Sequence, residues 1–178
     1  MSIRIRRLTE DDWFEFSQIR LKALQTDPEV FGSNYEKESQ MIEAEWRSRL
    51  QANDNAIFLI YENETPIGMT CVSVDRDDAT RKTALLWGSW LAPHARGKGL
   101  SKPMYQTRIN WAREQPTVEK IIVSHRASNL ASKYANQKHG FIATHKKEKV
   151  WTDGGVEDEI FYELEIEPIN KEGRQVVK

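Results

Sequence analysis

The sequence contains little cysteine, little net charge and no long apolar segment. Cys71 is the only cysteine among 178 residues, so no intrachain disulfide can form and the chain suits a reducing compartment. The 26 Lys and Arg residues nearly balance the 27 Asp and Glu residues, which argues against nonspecific binding to nucleic acid or to an anionic membrane. The longest apolar run, residues 56–61, is too short to span a bilayer, and no signal-peptide pattern is visible. These absences predict a soluble cytoplasmic protein.

The chain also lacks the patterns of a metal site and of a domain linker. Its 4 histidines have no ligand spacing and no set of cysteines to join them, so we expect no metal. The length favours one domain, which is large enough to bury a core without disulfides. No repeat or Pro/Gly linker divides it. We therefore predict a single domain over residues 1–166 and a polar C-terminal tail, residues 167–178.

Hydrophobic periodicity predicts both strands and helices. Alternation or short apolar runs indicate strands near residues 3–8, 56–61, 67–74, 83–91, 120–125, 141–151 and 157–166. Apolar residues at helical spacing indicate helices near residues 10–25, 39–50, 100–115 and 130–139, with an aromatic-bearing loop over 29–35. This order mixes hairpins with crossover connections. It predicts an α/β (α+β) fold: one mixed, largely antiparallel sheet with helices on both faces.

Two glycines, Gly97 and Gly99, lie between the end of an apolar strand and the start of an amphipathic helix. Glycine lets the backbone turn its N–H groups toward a ligand that approaches closely, and a helix start adds unsatisfied donors. Such a site suits a phosphate or pyrophosphate. A tight basic loop without a ligand is the alternative. A Walker A loop needs Gly-Lys followed by Ser or Thr, and a dinucleotide fingerprint needs a third glycine, so neither is present.

With these residues the chain resembles the GCN5-related N-acetyltransferase (GNAT) superfamily. The signature of that family places Arg or Gln, two variable residues, Gly, one variable residue and Gly or Ala, and Arg96, Gly99 and Ser101 occupy these positions. Serine in the last position is a small departure. A second family motif, Asn followed eleven residues later by Gly-Phe, is matched by Asn129 and residues 140–141.

The resemblance implies a GNAT-like acyl-CoA acyltransferase fold and acetyl-CoA as co-substrate. It implies that the strand before the bend splays from its neighbour, and that the Leu91 N–H binds the thioester carbonyl, with Ala92 beside the pantetheine arm. Asn129 and Asn136 would hold the pantetheine end. The pyrophosphate would be bound by the bend, which consists of Arg96, Gly97, Lys98, Gly99, Leu100 and Ser101.

The chain departs from the family at the residue that protonates the leaving thiolate. That position, four residues before the glycine, commonly holds tyrosine and is Asn136 in this sequence. Asn136 can donate a hydrogen bond but cannot act as an acid. Tyr134 is the nearest tyrosine, yet two residues correspond to about 200° around a helix, so we expect it to point elsewhere unless the helix is irregular. A core aromatic is its alternative role. Direct attack by an amine is therefore expected to depend little on a protein acid.

The acceptor residues follow less directly from the sequence. The segment 28–36 corresponds to one that walls the acceptor pocket in many relatives, so Phe31 and Tyr35 are candidate substrate-binding residues or core plugs. Trp90 lies beside the proposed thioester site and is a further candidate. Glu36 is the candidate base, with Glu38 as an alternative and Ser89 able to hold a water molecule.

The sequence thus predicts an acetyl-CoA-dependent N-acetyltransferase that acts on a primary amine of a small molecule or peptide in a ternary complex. A catalytically silent CoA- or acyl-CoA-binding module, acting as a sensor or scaffold, is the alternative, because of Asn136. We expect no nucleic-acid or membrane partner. The two C-terminal strands would offer an edge at which a homodimer could pair.

Overall fold

The structure, a computed structural model, describes residues 2–169. Its strands are β1 Ile3–Arg7, β2 Asn55–Glu62, β3 Thr65–Val74, β4 Thr83–Leu91, β5 Lys120–Arg126, β6 Ile142–Val150 and β7 Val156–Glu165. They form one 7-stranded sheet in the order β1-β2-β3-β4-β5-β7-β6. Only β4 and β5 are parallel neighbours, so the predicted mixed, largely antiparallel sheet is confirmed. Most of the predicted tail, residues 170–178, lies outside the described residues.

Five helices accompany the sheet in the described part of the chain. They are α1 Trp13–Thr26, α2 Tyr35–Glu38, α3 Glu43–Gln51, α4 Ser101–Glu114 and α5 Leu130–Lys138. The helix predicted over residues 39–50 begins later than expected, and the short α2 precedes it. Local capping explains the difference, since the Asn34 side chain accepts the Lys37 N–H at 2.9 Å and the Glu45 carboxylate accepts the Ile42 N–H at 2.8 Å.

Apolar side chains alternate between the two faces of the sheet and form a core on each. On one face Leu59 and Met69 pack with α1 and α3, through residues such as Phe16. On the other face Phe58 and Val72 pack with α4 and the last strands. This alternation is expected of strands whose successive side chains point to opposite faces. The sheet is therefore covered on both sides, as predicted.

The parallel strands β4 and β5 separate soon after they meet. They pair only from Thr83 with Lys120 to Leu85 with Ile122. Beyond that point β4 stays paired with β3 as far as Leu91, while β5 follows β7 as far as Arg126. The sheet therefore opens between the two strands, toward the end of β4 that carries the glycine bend.

A β-bulge lies where the sheet opens. Met69 faces Trp90 and Cys71 faces Trp87, so two β4 residues, Gly88 and Ser89, oppose the single β3 residue between them. Gly88 has a φ of +62°, which glycine adopts without a Cβ penalty. Bulges of this kind bend the strand and re-aim its side chains.

No helix among residues 2–169 is long and apolar enough to cross a membrane.

Candidate active site

The glycine bend connects the end of β4 to the first turn of α4 and is open to solvent. Gly97 and Gly99 have φ values of +73° and +78°, and a Cβ added at either would meet no atom within 4 Å. The N-cap of α4 makes no side-chain hydrogen bond. The N–H groups of residues 97–100 are not among those bonded to another backbone group within residues 2–169. The bend therefore presents free donors beside the positive end of a helix, an arrangement that binds anions.

Leu100 and Arg96 hold this bend in place. Leu100 is buried and packs with Ile60, Ile67 and Met104. The Arg96 guanidinium donates to the Leu91 carbonyl oxygen at 2.9 Å and also bonds to Asp27. The sequence predicts that Arg96 binds the pyrophosphate; in the structure its side chain contacts Leu91 and Asp27, and these contacts help to set the shape of the bend.

A small slot opens where β4 and β5 separate. Its volume is about 110 Å³. It is lined by Val30, Phe31, Leu86, Trp87, Gly88, Ser89, Tyr105, Arg108, Val123, Ser124, His125, Asn129, Ser132 and Asn136. Three of the predicted site residues, Phe31, Asn129 and Asn136, are therefore brought together at this slot by two separate segments of the chain, the loop before α2 and the helix α5 with its cap.

The backbone of β4 directs amide groups into the opening. The Ala92 N–H donates to the Ile67 carbonyl oxygen at 2.8 Å, so it is occupied by β3. Because amides alternate in direction along an antiparallel strand, that of Leu91 points away from β3. Ser89 lines the slot, whereas Leu91 lies beyond it toward the bend. The bulge thus makes Ser89 a second candidate for the thioester donor that the sequence predicts at Leu91.

Asn136 is almost fully buried at the slot, and one of its polar atoms has no partner. Its Oδ1 accepts the Tyr105 hydroxyl at 2.5 Å, while its Nδ2 has no hydrogen-bond partner in the structure. An unsatisfied buried amide is uncommon and costs free energy unless a ligand completes it. The Asn129 side chain caps α5 by accepting the Ser132 N–H at 3.1 Å. Asn136 is therefore poised to donate to a ligand, and Asn129 fixes the helix that carries it.

Neither tyrosine near the slot has the position expected of an acid. Tyr134 is 62% exposed and does not line the slot, because α5 is regular and turns it away from Asn136. This corrects its place among the candidate catalytic residues. Tyr105 does reach the slot, but burial raises the pKa of its hydroxyl, which the Arg108 charge only partly opposes, and that hydroxyl already donates to Asn136.

A larger groove of about 790 Å³ adjoins the slot. Leu86, Trp87, Val123 and Ser124 line both cavities, so the two spaces meet at the opening between β4 and β5. The groove is otherwise lined by Arg20, Glu38, Ser48, Arg49, Ala52, Asn55, Ser73, Val74, Asp75, Arg76, Asp77, Leu85, Ile122, Glu159 and Phe161. A third cavity lies at the far ends of β4 and β5, away from the bend. Of these two cavities, the groove is the one that shares lining residues with the slot.

Most of the predicted acceptor residues lie outside this groove. Tyr35 and Glu36 are exposed on the short α2 and line neither cavity. Trp90 is buried in the core against α1, and its indole N–H donates to Asp27 at 2.7 Å. Capping by Asn34 fixes the orientation of α2, and the sheet alternation fixes that of Trp90. Phe31 alone of the predicted aromatic residues reaches the slot, while also packing in the core.

Four carboxylates line the groove, Glu38, Asp75, Asp77 and Glu159, and the two glutamates differ in their surroundings. Burial of Glu38 raises its pKa, but hydrogen bonds and charges from Arg20 and Arg49 outweigh this and hold the pKa at about 2. Glu38 is therefore a very weak base. Glu159 accepts the Ser124 hydroxyl at 2.6 Å and lies 2.9 Å from the Lys149 ammonium. Sequence reasoning missed Glu159, because it belongs to a run of acids on the last strand and nothing local marks which of them faces the groove.

Metal and thiol chemistry find no support in the described residues. Within residues 2–169 no cluster of three His, Cys, Asp or Glu side chains is arranged to hold a metal ion. Burial raises the pKa of the Cys71 thiol to about 12, so it is not a nucleophile at neutral pH. The site consists of backbone donors, amides and charged side chains.

Comparisons with solved structures agree with this fold. An acetyltransferase of the GNAT family from Streptococcus pneumoniae has a TM-score of 0.79 and 18% identity, covering 93% of this chain and 99% of its own. An N-acetyltransferase from Staphylococcus aureus has a TM-score of 0.71 and 22% identity, and the match covers 93% of this chain and 99% of that protein. A protein from Salmonella typhimurium, solved with its cofactor acetyl-CoA, has a TM-score of 0.74 and 19% identity. This match covers 93% of this chain and 94% of that protein.

These identities show the fold alone, and no curated protein matches the chain by sequence. A family model is more specific, since the acetyltransferase (GNAT) family model matches residues 6–141, which include the bend, the opening between β4 and β5 and α5. The chain therefore belongs to the acetyltransferase (GNAT) family.

Proposed function

We propose that the protein transfers the acetyl group of acetyl-CoA to a primary amine of a small molecule or peptide by direct attack. The observation that supports this most is the meeting of the slot and the groove at the opening between β4 and β5, on the side toward which β4 leads into the open bend. The bend fits a diphosphate, the slot is small enough for an acyl group, and the groove gives a second substrate its own entry. Two substrates can then meet at the opening.

The bend and the slot would bind acetyl-CoA. The free amides of residues 97–100 and the start of α4 supply donors for the pyrophosphate. Asn136 Nδ2 supplies a donor in the lining of the slot. The residues present therefore fit this co-substrate, whose thioester supplies an activated acetyl group.

The protein would stabilise charge on the carbonyl oxygen with backbone amides. When the amine nitrogen bonds to the carbonyl carbon, the oxygen gains negative charge before the C–S bond breaks. The Leu91 amide, next to the Ala92 amide that bonds to β3, points away from β3, and Ser89 lies at the slot in the bulge of β4; these two amides are the candidate donors. Removal of one such donor typically lowers the rate by about 10²–10³-fold.

The amine must also lose a proton. Glu159, which lines the groove and is bonded to Ser124 at the junction with the slot, is the groove carboxylate best placed to receive it directly or through water. Glu38 is less suitable, because its pKa of about 2 makes it a poor proton acceptor. Glu36 lies outside the groove.

A glycine substitution with a matched control tests the binding part of this proposal. Gly99→Trp places a side chain in the open bend, whereas Gly154→Trp makes the same change at a turn whose φ of +82° is similar and which is also open. We expect wild type and Gly154→Trp to bind acetyl-CoA in calorimetry, and Gly99→Trp to bind at least about tenfold more weakly, a loss of about 1.4 kcal/mol. Equal binding by all three would contradict the proposal.

Turnover is tested separately with a panel of amines, including amino acids, polyamines, antibiotics and peptides with free N-termini. Release of CoA with one of them, measured with a thiol reagent, is the expected result. The silent-module alternative draws on Asn136 at the position of the usual tyrosine. Tight binding of acetyl-CoA without CoA release across the panel would favour that alternative.

A further inference from the structure

Arg108 is a fully buried cation at the slot. It is 2% exposed, and its guanidinium donates to the Met104 carbonyl oxygen at 3.2 Å and to the Ser89 hydroxyl at 2.7 Å. It also lies over the Tyr105 ring, 4.7 Å from the ring centroid. All of these partners are neutral. Arg108 is therefore held in place by dipoles and an aromatic face alone.

Other buried arginines in this protein have carboxylate partners. Arg20 forms a two-bond pair with Glu38, at 2.9 and 2.8 Å. Arg126 contacts both Asp153 and Glu157 at 2.6 Å. Arg108 forms no ion pair with any residue from 2 to 169. Since a buried charge without a counter-charge costs several kcal/mol, this arrangement indicates that an anion completes the site.

A second buried donor faces the same space. Asn136 is 1% exposed, its Nδ2 has no partner, and it lines the slot together with Arg108. Tyr105 connects the two residues, because its ring lies beneath the guanidinium and its hydroxyl is bonded to Asn136. A guanidinium and an amide N–H on one small slot match a single compact anion. The proposed reaction creates two anionic groups at the opening, the carbonyl oxyanion and the leaving thiolate. Backbone amides of β4 are the proposed donors for the oxyanion, so the thiolate is the anion that still needs a partner.

We propose that Arg108 and Asn136 stabilise the CoA thiolate as it leaves, so that no side chain needs to protonate the sulfur. The inference rests on the proposed function. The amine nitrogen forms a bond to the carbonyl carbon, the C–S bond breaks, and its electron pair stays on sulfur. The ammonium proton goes to the groove carboxylate or to water, and solvent protonates the thiolate after release. A positive charge thus takes the place of the missing tyrosine acid.

The groups around Arg108 are Tyr105 on its own helix, Cys71 on β3, His139 at the end of α5 and His125 on β5. Burial raises the pKa of the Cys71 thiol to about 12 and also raises that of Tyr105. Burial, with help from Lys138 and Arg108, lowers the pKa of His139. Cys71 and Tyr105 therefore stay neutral in the range where a CoA thiol would titrate.

The test compares CoA with desulfo-CoA, which has no thiol, by calorimetry from about pH 6 to about pH 10, a range that brackets an ordinary thiol pKa near 8.5. A site that favours the thiolate lowers the thiol pKa in the complex, so CoA should gain affinity over desulfo-CoA as pH rises. We expect this ratio to rise at least about tenfold in wild type, which corresponds to a pKa lowered by about one unit. Thiolate absorbance of the complex gives the same pKa independently.

The variants are Arg108→Met, Arg108→Lys and the matched control Arg113→Met, which lies on the same helix but lines the cavity away from the bend. Arg108→Met should abolish the rise in the ratio while keeping affinity for desulfo-CoA, Arg108→Lys should restore part of it, and Arg113→Met should behave as wild type. Urea denaturation identifies variants that fail to fold. If a variant does not fold, the pH dependence of the wild-type affinity ratio alone tests the inference. A wild-type ratio that does not change with pH overturns the inference and leaves the proposed function standing. Failure to bind either ligand overturns both.

Discussion

Replacing Glu38 by glutamine tests the buried ion pair that joins α2 to α1 beside the groove. Glu38 is 1% exposed and bonds to Arg20 at 2.9 and 2.8 Å and to Arg49 at 3.0 Å. The variant keeps the shape of the side chain but removes its charge. Arg20, which is itself buried, would then face a neutral partner, and the groove wall that both residues form would lose its main electrostatic contact.

The size of the effect follows from the pKa of Glu38. Burial raises this pKa, yet the hydrogen bonds and charges of the two arginines lower it from an ordinary 4.5 to about 2. Since one pKa unit is worth about 1.4 kcal/mol, ionised Glu38 adds about 3 kcal/mol to the free energy of unfolding at neutral pH. Because the folded pKa is the lower one, this contribution is complete above about pH 5 and is lost as pH falls from about 4.5 toward 2.

Urea denaturation measures this contribution to the free energy of unfolding when wild type is compared with Glu38→Gln and with the control Glu36→Gln. Glu36 is exposed on the same short helix, so its replacement should change stability by less than about 0.5 kcal/mol. Glu38→Gln should lose about 3 kcal/mol at neutral pH, and its difference from wild type should shrink as the solution is acidified through the range below about pH 5. A neutral-pH loss under about 1 kcal/mol, or a difference independent of pH, would refute the reasoning.

Two further substitutions test how the opening is built. In Gly68→Ala the new Cβ would lie 2.5 Å from the Trp90 carbonyl oxygen, so we expect a loss of about 1–3 kcal/mol in urea denaturation and slower turnover, whereas Gly32→Ala, which meets nothing within 4 Å, should be neutral. Equal stability of these two variants would contradict this packing. Asp27→Asn removes the charge that accepts hydrogen bonds from Trp90 and Arg96, and it should cost about 1–3 kcal/mol and weaken acetyl-CoA binding in calorimetry. An unchanged unfolding midpoint would argue against that role.

Local patterns were sufficient to predict most elements of this fold. The strand Thr83–Leu91 and the two glycines that follow it were predictable, because alternation and left-handed glycine conformations depend on the nearest residues in the chain. The family resemblance added the splay between β4 and β5, which the structure shows beyond Leu85. The start of α3 was predicted incorrectly, since capping by Asn34 and Glu45 competes with a simple helical pattern.

The site depends much more on contacts between distant segments. No local signal distinguishes Arg108 from the other arginines, because its significance is the absence of a carboxylate partner among the described residues, which only the packing of α4 against β4 decides. Glu159 and Ser124 belong to different strands and meet through the pairing of β5 with β7. The roles suggested for Tyr134 and Trp90 depend on which way each side chain points.

The sequence by itself determined the covered mixed sheet and the open glycine bend, since hydrophobic period, turn residues and glycine act over a few neighbouring residues. The tertiary structure alone decided what faces the opening: Arg108 without a counter-charge, Asn136 with a free donor, and a groove that meets the slot. The physical reason is that burial and charge compensation are properties of side chains far apart in the chain, and they take a value only when folding brings those side chains together.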